Sequence, residues 1–158
     1  MLCSEAWLPQ YSHTAMSLIS LLYVSNAKLG SDRDAALAAI LNWSRGYNAA
    51  MGVSGTLVFT GAHFAQILEG EAAALRQLFA NIRVDSRHLD VVVLKEWSID
   101  ERLFQDWALA YAGPSAYVAR VIGKPLAEVL CGATPDIGQL VRLMVQFAAT
   151  DGTKRSAE

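Results

Sequence analysis

Val53-Ser54-Gly55-Thr56-Leu57-Val58-Phe59, then Thr60-Gly61, then Phe64-Ala65-Gln66-Ile67-Leu68 is the stretch on which the fold turns. Two short runs of β-branched, aliphatic and aromatic residues on either side of a Thr-Gly turn read as a β-hairpin. On its N-terminal side the pattern changes to helical. Ser31 and Asp32 offer N-caps, Asp34 sits in the first turn, and Leu37, Ile40, Leu41 and Ser44 keep the i, i+3, i+4, i+7 spacing of one buried stripe. That helix is expected to end near Gly46. Before it, Leu18-Ile19-Ser20-Leu21-Leu22-Tyr23-Val24, bounded by Ser25-Asn26, suits a buried strand. On the C-terminal side Gly70 opens a second helix with the stripe Leu75, Leu78, Phe79 and Ile82. Leu89 to Leu94 reads as a fourth strand and Phe104 to Tyr111 as a fifth.

The order is β-α-β-β-α-β-β. Two helices with one apolar stripe each can cover only one face of a sheet. Right-handed crossovers then predict an α+β, ferredoxin-like sandwich with a mixed five-stranded sheet, its first and third strands side by side in the centre and its fifth extending an edge. Beyond Pro114, Val118, Val121, Ile122, Leu126, Val129 and Leu130 are apolar but interrupted by Gly123 and Pro125, and Ile137, Leu140, Val141, Met144, Val145 and Ala148 have helical spacing. Two C-terminal helices are expected, packed on the sheet's other face or on a partner. The expected organisation is a flexible N-terminal extension over 1–16, one domain over 17–112, a helical extension over 113–150 and a polar tail over 151–158. Met16 directly precedes the first strand, so residues 1–15 are read as a non-structural extension or an upstream start.

Composition narrows the functional classes. The chain has 158 residues, 53% hydrophobic and 18% charged, with a net charge of −2, which excludes disorder and supports one genuine core. A pI near 5.9 gives no basic footprint for nucleic acid. No apolar run is long enough to span a membrane, and the first twenty residues make a poor signal peptide. Cys3, in the N-terminal extension, and Cys131, in an apolar segment, form no metal or disulfide framework; both are read as reduced thiols of a cytoplasmic protein.

Few residues stand out chemically. Tyr23, near the end of the first strand, and Gln66, in the middle of the third, become neighbours in the predicted pairing. Gln66 is the odd residue of an apolar strand, and an unpaired buried amide costs roughly 1–3 kcal/mol. It either completes its own neighbourhood or serves a polar ligand, and the residues alone favour the first. Asn48, after Gly46-Tyr47, reads as a helix terminator. Asn81, Asp85, Arg87 and His88 read as a solvated helix end with an Arg–Asp pair, and Ile40 and Ile82 as core. Glu69 and Glu71 bracket a helix start, where carboxylates are electrostatically comfortable. His13, His63 and His88 are scattered, and Gly52-Val53-Ser54-Gly55 lacks the strand-to-helix context of a nucleophile elbow. There is no metal motif, dinucleotide fingerprint or P-loop.

Taken together, Leu-Leu-Tyr23-Val-Ser, Ser44-Arg45-Gly46-Tyr47-Asn48, Gly52-Val53-Ser54-Gly55-Thr56-Leu57, Phe64-Ala65-Gln66-Ile67-Leu68-Glu69-Gly70, Asp85-Ser86-Arg87-His88 and Arg102-Leu103-Phe104-Gln105-Asp106-Trp107 resemble, in order and spacing, a BLUF domain, the blue-light sensor using FAD. The resemblance implies a flavin, usually FAD with FMN or riboflavin as alternatives, whose ring lies between the two helices. Ile40 and Ile82 would flank it and Asn48 would bond its carbonyl and ring-nitrogen edge. Tyr23 and Gln66 would meet on its N5/C4-carbonyl side. Asn81, Asp85, Arg87 and His88 would lie toward the ribityl and phosphate end, and Tyr47, where relatives often carry Asn or His, would touch the ring's edge. Tyr23 would be the electron and proton donor and Gln66 the amide whose rearrangement forms the signal.

Trp107 matches the family's Trp, whereas the family's Met position is Leu109. Read on one strand, the two side chains would share a face. Met is held to pass the change at Gln66 to this strand through its thioether; Leu cannot accept a hydrogen bond, so coupling through packing and Trp107, or a weaker coupling, is expected. The resemblance implies a sensor without turnover, with too few residues after Tyr111 for a catalytic output domain. Such a sensor would signal through protein contacts as a homo-oligomer or to an unidentified downstream regulator, with Ile137 to Ala148 as docking surface or as cover for the sheet. Two other readings share the topology: a ferredoxin-like small-molecule or scaffold module without photochemistry, and an acylphosphatase-type hydrolase. The hydrolase is disfavoured by the lack of an Arg-bearing loop after the first strand, where Ser25-Asn26-Ala27-Lys28 stands.

Overall fold

A computed structural model describes residues 17–155. Strand β1 (Leu18–Ala27) leads to helix α1 (Arg33–Met51), the hairpin β2 (Ser54–Phe59) and β3 (His63–Glu71), helix α2 (Ala72–Val84), β4 (His88–Ser98) and the short β5 (Ala110–Ala112). The sheet order is β4-β1-β3-β2-β5, antiparallel except for β2 against β5. The α+β architecture, the central β1–β3 pair and the mixed sheet are those expected.

Alternation sorts the strands' side chains between two cores. Leu21, Tyr23, Leu57, Phe64 and Leu68 face α1 and α2, whereas Leu22, Val24, Val58, Ala65 and Ile67 face the C-terminal helices. Gly55 in β2 has no room for a side chain: a Cβ there would lie 2.1 Å from the carbonyl oxygen of Ile67.

The elements depart from expectation in four places. Helix α1 does not stop at Gly46 but runs one turn further, because the stripe Ile40, Ser44, Asn48 keeps facing inward. It ends at Gly52, in the left-handed conformation (φ 64°), whose amide bonds the carbonyl of Asn48. Asn48 is therefore an interior residue of the helix, not its terminator.

The fifth strand is three residues long, because the segment before it spends its backbone groups elsewhere. The amides of Leu103 and Phe104 donate to the Glu69 carboxylate, Trp107 N bonds Phe104 O in a turn, and Trp107 O accepts from Gly55 N. Trp107 and Leu109 consequently do not share a strand face. Trp107 packs against the far-side cluster that contains Leu22, Val24 and Ile67, and Leu109 belongs to the near-side cluster of Ile40, Leu57 and Phe64.

The C-terminal helical region has more pieces than the two helices expected. Helix α3 (Ala116–Val118), a π-helical turn (Ala119–Gly123) and α4 (Lys124–Leu130) follow one another, before α5 (Ile137–Arg155). Pro125 has no amide to offer Val121 and its ring crowds that carbonyl, so the turn widens just ahead of it. These helices cover the sheet's other face: Ile122, Leu126, Leu140, Met144 and Phe147 are buried against Val24, Val58 and Ile67. The run Ile137 to Ala148 is thus the cover, and its most apolar residues are not available as a docking surface.

The expected tail from 151 begins inside α5, where Asp151 accepts from Tyr111 N at 3.0 Å. Cys131 is exposed. Residues 1–16, with Cys3 and His13, lie outside the described residues. Among the described residues no helix is long and apolar enough to cross a membrane.

Candidate functional site

Tyr23 and Gln66 are direct partners in the β1–β3 register, and the Tyr23 hydroxyl donates to Gln66 Oε1. The Tyr23 ring is fully buried, 5.5 Å from Phe79 and 6.1 Å edge-on from His88. Burial, seconded by the negative charge of Asp85, pushes its phenol far above the ordinary range. The phenol stays neutral, and the amide oxygen is its proton's resting acceptor.

Above this pair the two helices part. Ile40, Trp43, Ser44 and Asn48 of α1 face Leu78 and Ile82 of α2 across a cleft floored by Tyr23, Leu57 and Gln66 and closed at one end by Asp85, Arg87 and His88. Its enclosed volume is about 30 Å³, and the rest of the gap between the helices is open to solvent. Four aliphatic side chains, Ile40, Leu57, Leu78 and Ile82, line the cleft, and polar side chains from both helices, the floor and the closed end converge on it.

Asn48 is the most informative of these groups. It is 1% exposed; its Nδ2 donates to Ala108 O at 2.8 Å, and its Oδ1 has no partner among the described residues. A buried, unpaired acceptor is costly and calls for a donor from whatever fills the cleft.

The other polar end is a closed pair. Arg87 Nε donates to Asp85 Oδ1 at 2.9 Å and Nη2 to Oδ2 at 2.6 Å, and Arg87 N adds a third bond to Oδ1 at 2.9 Å. The guanidinium holds the Asp85 carboxyl below its usual range, against the opposing effect of burial. His88 Nδ1 lies 2.9 Å from Ser25 Oγ, and burial pulls the imidazole down to about 4, so it is neutral at pH 7.

Outside the cleft, Glu69 is buried at 0% exposure with both carboxylate oxygens on backbone amides, 3.1 Å from Leu103 N and 3.0 Å from Phe104 N. Burial raises its pKa despite those two bonds and nearby Arg102. Arg102 itself donates to Ser54 Oγ, Glu69 O and Gly52 O. Glu69 therefore anchors the β4–β5 connection rather than starting a helix.

Of the residues singled out in the sequence, Tyr23, Ile40, Asn48, Gln66, Ile82, Asp85, Arg87 and His88 line the cleft. Four do not. Asn81 is exposed on the outer side of α2, and Tyr47 packs beside the cluster of Tyr23, Leu75 and Phe79. Trp107 lies across the sheet, and Leu109 sits beside the cleft behind Ile40 and Leu57. Trp43 was missed: its indole is 51% exposed at the cleft's lip, stacked on Tyr47 at 4.8 Å and 20°. The i, i+4 aromatic pair on α1 was the available signal. Leu57 and Leu78 line the cleft too, but nothing separates them from ordinary core residues in the sequence.

The family described as "Sensors of blue-light using FAD" (BLUF) matches residues 18–110. Photoactivated adenylate cyclase subunit beta of Euglena longa is 37% identical over 106 residues, 66% of this chain but 12% of that protein. The subunit alpha of Euglena gracilis is 37% identical over 55% of this chain and 8% of that protein. The chain thus matches about a tenth of the length of these curated relatives. Among solved structures, the photo-activated state of BlsA superposes with a TM-score of 0.71 at 26% identity, covering 83% of this chain and 94% of that one. The dark state of the BLUF protein BlrB gives 0.69 at 27% identity, over 85% and 97%. The chain belongs to the BLUF family. Its domain over 18–110 is a blue-light sensor that binds flavin, and it resembles solved family members in both dark and lit states.

Proposed function

We propose that the cleft between α1 and α2 seats the flavin ring and that Tyr23 and Gln66 beneath it form the photoactive pair. The observation carrying this reading is the Tyr23–Gln66 hydrogen bond at the cleft floor. The residues fit the group. Ile40, Leu57, Leu78 and Ile82 offer flat apolar contact, and the unpaired Asn48 Oδ1 accepts from an imide N–H, which a flavin's pyrimidine edge carries. Asp85 and Arg87 orient the far end together with neutral His88. When bound, the flavin supplies blue-light absorption and a strongly oxidising excited state.

The chain's own part follows from its hydrogen bonds. A buried phenol cannot lose an electron without also shedding its proton, and Tyr23 has Gln66 Oε1 in line to take it. A carboxamide donates through one end and accepts through the other, so reorganising the Gln66 amide rewires the cleft without moving the backbone. Each neutral bond exchanged is worth roughly 0.5–1.5 kcal/mol, and about 1.4 kcal/mol changes a two-state population tenfold.

FAD is the flavin we assign, with FMN and riboflavin as the alternatives; Arg87 is engaged by Asp85, which leaves phosphate contacts few. Light sensing rather than turnover is the proposed activity. It would be passed on by protein contacts, between copies of the chain or to a downstream regulator in the cytoplasm. Titrating purified protein with FAD, FMN and riboflavin tests the site: the double variant Asn48→Ala/Asp85→Ala should lose most of its flavin retention. Wild-type retention in that variant would move the site elsewhere.

A further inference from the structure

Position 109 poses a question that the cleft itself answers. The Leu109 side chain has no atom able to accept a hydrogen bond, yet β5 begins one residue later and must be linked to the cleft if light is to reach the sheet's edge. Helix α1 supplies the link. Asn48 Nδ2 donates to Ala108 O at 2.8 Å, and one turn earlier Arg45 Nε lies 3.4 Å from Leu109 O. The carboxamide's other end, Oδ1, is buried and unpartnered at the cleft. Asn48 is therefore a two-ended bridge, one end facing the cleft and the other holding the chain that enters β5. From β5 the connection continues, since Tyr111 N donates to Asp151 of α5 at 3.0 Å and β5 pairs with β2 through only three residues.

We propose that Asn48 is a positioning residue that couples the contents of the cleft to β5 through the Ala108 carbonyl, in place of a side-chain contact from position 109. The proposal rests on the flavin reading of the cleft for its light dependence, but the Asn48–Ala108 bond itself needs no ligand. A donor arriving at Oδ1 polarises and reorients the amide, and whatever displaces the ligand edge loosens Ala108. Titratable and charged groups around this amide are Arg45 on α1, Tyr23 on β1, and Asp85, Arg87 and His88 after α2.

Asn48→Asp tests the bridge, since it keeps shape and the cleft-side acceptor but donates to Ala108 only when protonated. In ligand-free protein, hydrogen exchange at Leu109 to Ala112 should rise about tenfold at alkaline pH and fall back toward wild type as the new carboxyl protonates. In flavin-loaded protein, the light-dependent change in exchange at those amides should follow the same pH profile, with flavin affinity measured alongside. On wild type, the Asn48 side-chain amide protons and the Ala110 to Ala112 amides should shift together on illumination and recover at one rate by NMR. Exchange and light response at β5 that are the same in Asn48→Asp as in wild type at every pH would overturn the bridge, and so would Asn48 protons that ignore light while β5 responds. Failure of wild type to bind any flavin would instead sink the reading of the cleft and leave the ligand-free arm standing.

Discussion

Tyr23 and Gln66 face each other across the β1–β3 ladder and share a buried hydrogen bond at the floor of the cleft. Tyr23→Phe removes the donor and leaves the amide oxygen buried. A loss of about 1–3 kcal/mol is expected in urea unfolding of the ligand-free protein. An unchanged midpoint would mean that Gln66 finds another partner.

Leu109 packs on Ile40, Leu57 and Phe64 beside the cleft. Leu109→Met conserves volume, so stability should stay within about 1.5 kcal/mol, while a thioether adds a weak acceptor behind Ile40 and Leu57. The dark-recovery time should change about twofold or more, together with light-dependent protection of Ala110 to Ala112. If both are unaltered, position 109 plays no part in coupling.

His88 makes stability pH-dependent. Its folded value of about 4 lies below the ordinary 6.5, so the unfolded chain binds the proton first. The contribution is fully present above pH 6.5 and is lost as pH falls toward 4, by roughly 3 kcal/mol at most. Asp85 acts in the same direction but lower, as pH falls below its ordinary 3.8, whereas Glu69, with a raised pKa, opposes the His88 slope above its ordinary 4.5. Urea unfolding between pH 7 and 5 should therefore show a slope that His88→Gln flattens. An identical slope in that variant would remove His88 from the account.

Glu69→Ala strips both backbone amides of the β4–β5 connection of their acceptor. Two buried N–H groups left unpaired should cost about 2–4 kcal/mol and raise exchange at Leu103 and Phe104. Destabilisation under about 0.5 kcal/mol would show that water replaces the carboxylate.

The hairpin Val53 to Leu68 made most of the fold legible, because period-2 alternation and one-striped helices leave few topologies. The pair Tyr23–Gln66 followed from strand pairing alone. What escaped were features written in side chain to backbone bonds. Glu69 holding Leu103 and Phe104 shortened the fifth strand and sent Trp107 and Leu109 to opposite faces, and no periodicity reports that. Asn48 read as a helix end because Gly46 is a poor helix former; the inward stripe overrode that propensity. Trp43 hid on the polar side of α1 because a half-exposed indole is invisible to a core pattern. The π-helical turn was legible only in part: Pro125 announced a break, not its form.

Absorption spectroscopy of flavin-loaded protein under blue light tests the central claim most directly. Wild type should shift slightly to the red and recover in darkness, while Tyr23→Phe and Gln66→Leu keep the pigment and lose the reversible shift. A normal photocycle in either variant, or no shift in wild type with flavin bound, would contradict it.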